Sequence, residues 1–198
     1  LDIANNGQLN SAGILNLTGR DITNNTTISA QTVQLISSGN ILNSGLVEGE
    51  TGTLRGQNIT NTDLIMFLDN LDIEGTKLIN TNASIYSDDV LNIRTADVDN
   101  IDGEIVGQQT LNITGFNLLD NTRGIIDSRG NILLSGNKLL NGGEVSGKYR
   151  LYWTTWDGQN IYEDTWRELN DDYMQKGGKI FDKTLHDADK NLFSYNSM

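Results

Sequence analysis

Carboxylates offer this chain its widest choice of chemistry, and they fall into three groupings. Asp88-Asp89 and Asp171-Asp172 are adjacent pairs, and Asp97, Asp99 and Asp102 form a looser cluster. Two carboxylates flanking one bond could hydrolyse a glycoside. Neighbours on a strand point to opposite faces, however, so neither adjacent pair can flank a bond by itself. The looser cluster reads as an acidic edge at one bend, either solvated charge or a weak Ca²⁺ site. It lacks the Gly-Gly-x-Gly-x-Asp repeat and the EF-hand spacing of dedicated calcium loops. His186 is the single histidine, and no Ser or Cys arrangement surrounds it. There is no Gly-rich loop to cradle phosphate, and no cofactor is expected. Asn-x-Ser/Thr sequons at Asn16, Asn24, Asn25, Asn58, Asn82 and Asn112 read as by-products of Asn-rich bends beside Thr-rich strands.

Composition narrows the partners. The 198 residues contain no Cys and no Pro, so disulfide frameworks and thiolate metal sites are excluded. Net charge is −12, and residues 1–147 hold 7 basic against 17 acidic residues. That balance disfavours nucleic acid and anionic membrane. No apolar run approaches the roughly 18 residues of a membrane span.

The elements that must position these side chains are repeats. Asn5, Asn24, Asn43, Asn61, Asn80, Asn100, Asp120 and Asn141 close units spaced 19, 19, 18, 19, 20, 20 and 21 residues apart. Two residues before each lies an aliphatic: Ile3, Ile22, Ile41, Ile59, Leu78, Val98, Leu118 and Leu139. Seven before lies another: Leu17, Ile36, Leu54, Ile73, Ile93, Ile113 and Leu134. Around that position apolar and polar residues alternate, which marks a strand with one buried face. A third aliphatic follows the closing residue by four or five: Leu9, Ile28, Val47, Ile65, Ile85, Ile105, Ile125 and Val145. Three short strands in about 20 residues cannot close a core alone, but stacked coils can. Asn suits the bend because it tolerates left-handed backbone and can bond up and down a column. The expected fold is all-β, a parallel β-helix of about eight coils with three short strands each. The crossover rule makes it right-handed. Leucine-rich repeats would place aliphatics at minus eight, minus five and minus three, where this chain has polar residues and Gly.

Two stretches break the pattern. Leu64-Ile65-Met66-Phe67-Leu68 is apolar on both faces. Ile65 and Phe67 are expected inside, leaving Leu64, Met66 and Leu68 as a candidate docking patch, with Leu46 and Tyr86 beside them. From about Lys148 the unit no longer recurs, and ten of the 13 aromatics lie at or beyond Tyr149. Residues 148–198 are expected to be a non-repeating aromatic appendage. Tyr149, Tyr152, Trp153, Trp156 and Trp166 are its candidate capping or binding residues. Asp157-Gly158 reads as a turn, with Ile161-Tyr162 beginning a returning strand.

Units such as Gly13-Ile14-Leu15-Asn16-Leu17-Thr18-Gly19-Arg20-Asp21-Ile22-Thr23-Asn24 resemble the repeats of filamentous haemagglutinin. They are similar to those of large bacterial exoproteins of two-partner secretion. The resemblance covers residues 1–147. It implies a right-handed β-helix, export through an outer-membrane transporter, and a filament that is secreted or on the cell surface. In contact-dependent growth-inhibition members such repeats lead into a receptor-binding region, and the change at Lys148 resembles that junction. The secretion domain that opens such proteins is not recognisable, and Leu1-Asp2-Ile3-Ala4-Asn5 already belongs to a coil. An internal piece of a longer protein is therefore expected. The function expected is a stalk segment without enzyme activity, whose partner is a protein or glycan receptor on another cell. A carbohydrate-active β-helix, lyase or hydrolase, is the alternative.

Overall fold

In the computed structural model, backbone is described for residues 1–142, 144–154, 160–162, 167–168 and 194–195, and side chains for residues 1–142. The chain is a parallel β-solenoid of about seven turns. Its strands are β1 (Ile3–Asn5), β2 (Gln8–Gly19), β3 (Ile22–Asn24), β4 (Thr27–Ser37), β5 (Asn40–Asn43), β6 (Leu46–Asn61), β7 (Leu64–Phe67) and β8 (Asn70–Asn80). They continue as β9 (Ser84–Ser87), β10 (Val90–Asp99), β11 (Glu104–Gly107), β12 (Thr110–Phe116), β13 (Leu118–Asp120), β14 (Ile125–Gly136), β15 (Lys138–Leu140) and β16 (Glu144–Thr154). Each strand pairs in parallel with its counterpart one coil on, as in β2 with β4, β3 with β5 and β7 with β9.

Three faces result. On the first, Leu17, Leu35, Leu54, Ile73, Ile93, Ile113 and Leu134 stack in register. On the second, Ile22, Ile41, Ile59 and Leu78 do so, and the strand ends at the closing Asn. On the third, Ile28, Val47, Ile65, Ile85, Ile105 and Ile126 do so. All of these from Ile22 onward are buried, whereas Ile3, Leu9, Leu15 and Leu17 of the first coil are only partly covered.

The closing residues form one column. Each Asn Nδ2 donates to the Oδ1 of the next Asn at 2.7–2.9 Å, from Asn5 through Asn24, Asn43, Asn61, Asn80, Asn100 and Asn121 to Asn141. The same Nδ2 also reaches backbone carbonyls, as Asn61 does with Asp63 at 3.0 Å and Ser84 at 3.0 Å. Its Oδ1 further accepts a local backbone N–H, as in Asn43 from Gly45 at 3.4 Å. These amides are buried, 0% exposed at Asn61, Asn80, Asn100 and Asn121. Burial without such partners would cost about 1–3 kcal/mol per group.

Several expected positions are corrected. The seventh ladder residue is Asn121, not Asp120, because a carboxylate has no N–H to donate to the next amide. Gly115, at φ 77°, marks a register shift between Thr114 and Phe116 that sets the rest of the coil back by one. Leu119 is consequently buried in place of Leu118, and Ile126 in place of Ile125, which is 40% exposed. At Ile36 the inward position belongs to Leu35, which follows Val33 at period two, and Ile36 pairs beside Thr18 and Arg55 on the outside. The expected column of Ile36, Ile73 and Ile113 therefore holds at Ile73 and Ile113 and fails at Ile36. Eight closing residues delimit about seven turns, not eight.

The variable step after the Asn has a backbone cause. Asn82, Asp102 and Arg123, each two residues past a ladder Asn, have φ of 51°, 54° and 56°. These left-handed residues absorb one extra residue, so the next inward aliphatic falls at plus five in those coils.

One core column is irregular in a compensated way. Small residues occupy the second inward position of the third face: Ala30, Gly49, Ser87 and Gly107. Phe67 is the large exception and is fully buried. On the first face, Gly52 interrupts a column that otherwise reads Leu15, Val33, Leu71, Leu91, Leu111 and Ile132. A Cβ on Gly52 would meet the Phe67 ring at 2.5–2.7 Å. The ring fills the space that the missing aliphatic leaves.

Beyond Asn141, β16 pairs in parallel with β14, placing Tyr149 opposite Ile132 and Leu151 opposite Leu134. It also pairs antiparallel with β17 (Asn160–Tyr162).

Candidate functional site

With the aliphatics committed to the interior, the outward side chains carry whatever chemistry the solenoid has. On the first face they form a charged and amide network. Arg94 reaches Glu74 at 3.2 Å and Asp72 at 3.6 Å, and Arg55 reaches Glu74 at 2.9 Å. Asn112 donates to Asn92 at 2.8 Å, and Asn92 donates to Asp72 at 2.9 Å.

The bends are paired as well. Arg20 links Asp2 and Asp21. The backbone N–H of Asn40 bonds the Asp21 carboxylate at 2.8 Å, and this bond first, with Arg20 adding to it, holds its pKa low.

The expected acidic edge does not converge on one point. Asp99 pairs with Lys77 at 2.6 Å, a bond that raises the lysine pKa. Asp102 takes two bonds from Arg123, at 2.7 and 2.6 Å, which hold its carboxyl below the usual range. Among the described residues no three His, Cys, Asp or Glu side chains are placed to share a metal ion. Asp88 accepts from the Tyr86 hydroxyl, which raises the tyrosine pKa, and Asp89 is exposed at the adjoining bend. Of the sequons, Asn24 is buried in the ladder, 1% exposed. Asp171, Asp172 and His186, and the side chains of Tyr149, Tyr152, Trp153, Trp156 and Trp166, lie outside the described residues.

The third face differs from the others. Ile65 and Phe67 are buried, as expected, while Leu64 and Met66 are half-buried on the outside and Leu68 is 55% exposed. Leu46 pairs beside Leu64, and Tyr86 beside Met66. One coil further, Val106 continues the Met66–Tyr86 column and is itself only 4% exposed. Sequence reading missed Val106, because a single outward apolar residue gives no periodic signal. Around this patch stand Glu48, Glu50, Asp69, Asp88, Asp89 and Glu104, and no ion pair engages any of them among the described residues. Their side-chain partners are neutral: Gln31 for Glu50, Ser84 for Glu104 and Tyr86 for Asp88.

The chain matches no protein-family model, no curated protein and no solved structure. The class that fold and geometry define is a β-solenoid with an asparagine ladder.

Proposed function

We propose that the chain is a stalk segment of a secreted, cell-surface filament of the haemagglutinin-repeat kind, an adhesin or a contact-dependent inhibition protein. The unbroken asparagine ladder is the observation that carries this reading. Every coil uses a buried Asn to join the next coil, which suits an extended rod. The ion-paired carboxylates of the first face and bends support the same reading, since they are committed to neighbouring coils. Export through an outer-membrane transporter and a receptor on another cell belong to this proposal.

The test is an antibody raised against the purified chain. It is expected to label intact producing cells, and external protease is expected to remove the label. Labelling only after permeabilisation would overturn the surface assignment. Incubation of the chain with a panel of acidic polysaccharides is expected to release no reducing or unsaturated ends. Sustained release would replace the stalk by a carbohydrate-active enzyme.

A further inference from the structure

The third face combines two features. It carries outward apolar side chains at Met66 and Tyr86, flanked by Leu64 and the exposed Leu68, and the covered Val106 ends this column. It also carries the six carboxylates without a cationic partner named above. Arg20, Arg55, Lys77, Arg94 and Arg123 are all engaged in ion pairs away from this patch. Arg129 is the basic side chain that faces Tyr86, at the far margin.

From this we infer that the third face docks a cationic amphipathic helix of a partner protein, aligned with the solenoid axis. Its apolar side chains would seat on Met66 and Tyr86 with Leu64 and Leu68 beside them, and its Lys or Arg side chains would meet the acidic rim.

Charge decides the occupant. A second copy in the same orientation would bring one acidic rim against another, and an anionic membrane or nucleic acid would be repelled likewise. An acidic surface that served only solubility would not need to encircle apolar side chains. Spacing fits a helix. Successive outward residues of the column lie one strand apart, about 4.8 Å. Helical anchors on one face advance about 5.4 Å per turn. The mismatch is under about 1 Å per step, so two successive anchors can seat on Met66 and Tyr86. The inference concerns the side of the rod and does not depend on the stalk reading.

The test uses the full chain and a fluorescein-labelled synthetic helix of 18 residues, about five turns, with leucine on one face and lysine on the other. Binding is read by fluorescence anisotropy. The helix is expected to bind, and to lose affinity as salt rises. A scrambled peptide of the same composition and an oligolysine of equal charge are expected to bind at least about tenfold more weakly, about 1.4 kcal/mol. Met66→Asp and Leu68→Asp, with circular dichroism unchanged, are expected to weaken the helix by a similar factor. The pair Glu50→Lys and Asp69→Lys is expected to do the same, while Asp2→Lys with Asp97→Lys, away from this face, leaves binding unchanged. Absence of binding overturns the inference. Equal binding of oligolysine, or indifference to Met66→Asp and Leu68→Asp, shows only a general polyanion effect and overturns it too. Concentration-dependent dimerisation that Met66→Asp abolishes would assign the face to a second copy instead.

Discussion

Truncating Phe67 is expected to damage the solenoid, and filling Gly52 is expected to repair it. Phe67→Ala removes a fully buried ring from a position flanked by Gly52, so the hole cannot close easily. Loss of burial plus the cavity is expected to cost about 3–5 kcal/mol. Gly52→Leu alone is also expected to destabilise, by about 1–3 kcal/mol or more, since its Cβ meets ring atoms at 2.5–2.7 Å. All three nearest atoms to that Cβ belong to the Phe67 ring, so the double variant removes the clash and returns the volume. It is expected to lie within about 1.5 kcal/mol of the native chain, the usual cost of a volume-conserving swap. The pair would then couple favourably by at least about 2.5 kcal/mol. Urea titration followed by far-ultraviolet circular dichroism measures it, provided the slope m is shared by all four chains. Gly136 is the control. Its Cβ would meet the Phe116 ring at 2.3 Å but also the Phe116 backbone oxygen at 2.4 Å. Truncating Phe116 therefore does not open position 136, and Phe116→Ala with Gly136→Leu is expected to show no rescue. A double variant at 67 and 52 no more stable than its weaker single parent would refute this account of the core.

Three further outcomes are expected. Asn80→Ala removes the acceptor of Asn61 and leaves the Ala83 and Glu104 carbonyls without their amide donor. It is expected to cost about 3–9 kcal/mol, at about 1–3 kcal/mol for each of these three groups; a loss under about 1 kcal/mol in urea titration would demote the ladder to decoration. Ile93→Ala, in the middle of a column, is expected to cost about 2–5 kcal/mol, and Ile3→Ala, on a half-covered coil with one neighbour, distinctly less. Equal midpoints for the two variants would contradict nearest-neighbour stacking. Asp102→Asn keeps a residue that accepts φ near 54° but removes the charge facing Arg123. Because the folded carboxyl titrates below its ordinary value, its contribution is complete above the ordinary carboxylate range and fades as pH falls through the folded value. The stability gap between native and Asp102→Asn chains is therefore expected to be constant at neutral pH, and to close in acid and in high salt. A gap that widened in acid would reverse the assigned sign.

The fold was legible because period-two aliphatics and a closing Asn repeat together, and each constrains the other. Errors arose where the chain offered two candidates side by side. Leu35 and Ile36, Leu118 and Leu119, Asp120 and Asn121, and Ile125 and Ile126 are adjacent pairs in which spacing alone favoured the wrong member. Chemistry could have decided the third pair, since only an amide both donates and accepts along the column. It would then have corrected Leu118 as well. The patch at Leu64, Met66 and Leu68 was visible because five apolar residues in a row violate alternation. Tyr86 was anticipated from its place in the repeat, whereas Val106 was not. The unpaired status of the carboxylates was invisible, because ion pairing joins residues about 20 positions apart and depends on which way long side chains turn.

The ladder also gives the rod a direction. In all seven links the amide nitrogen belongs to the earlier coil and the oxygen to the later one. The side-chain dipoles of the linked amides consequently point the same way along the axis and polarise one another, much as peptide dipoles do in a helix. The column is a vector, not just a set of contacts. Two rods brought together first coil to first coil would set one amide oxygen against another at the axis of every such junction. Only a head-to-tail sequence of coils lets the hydrogen bonds run through without reversal.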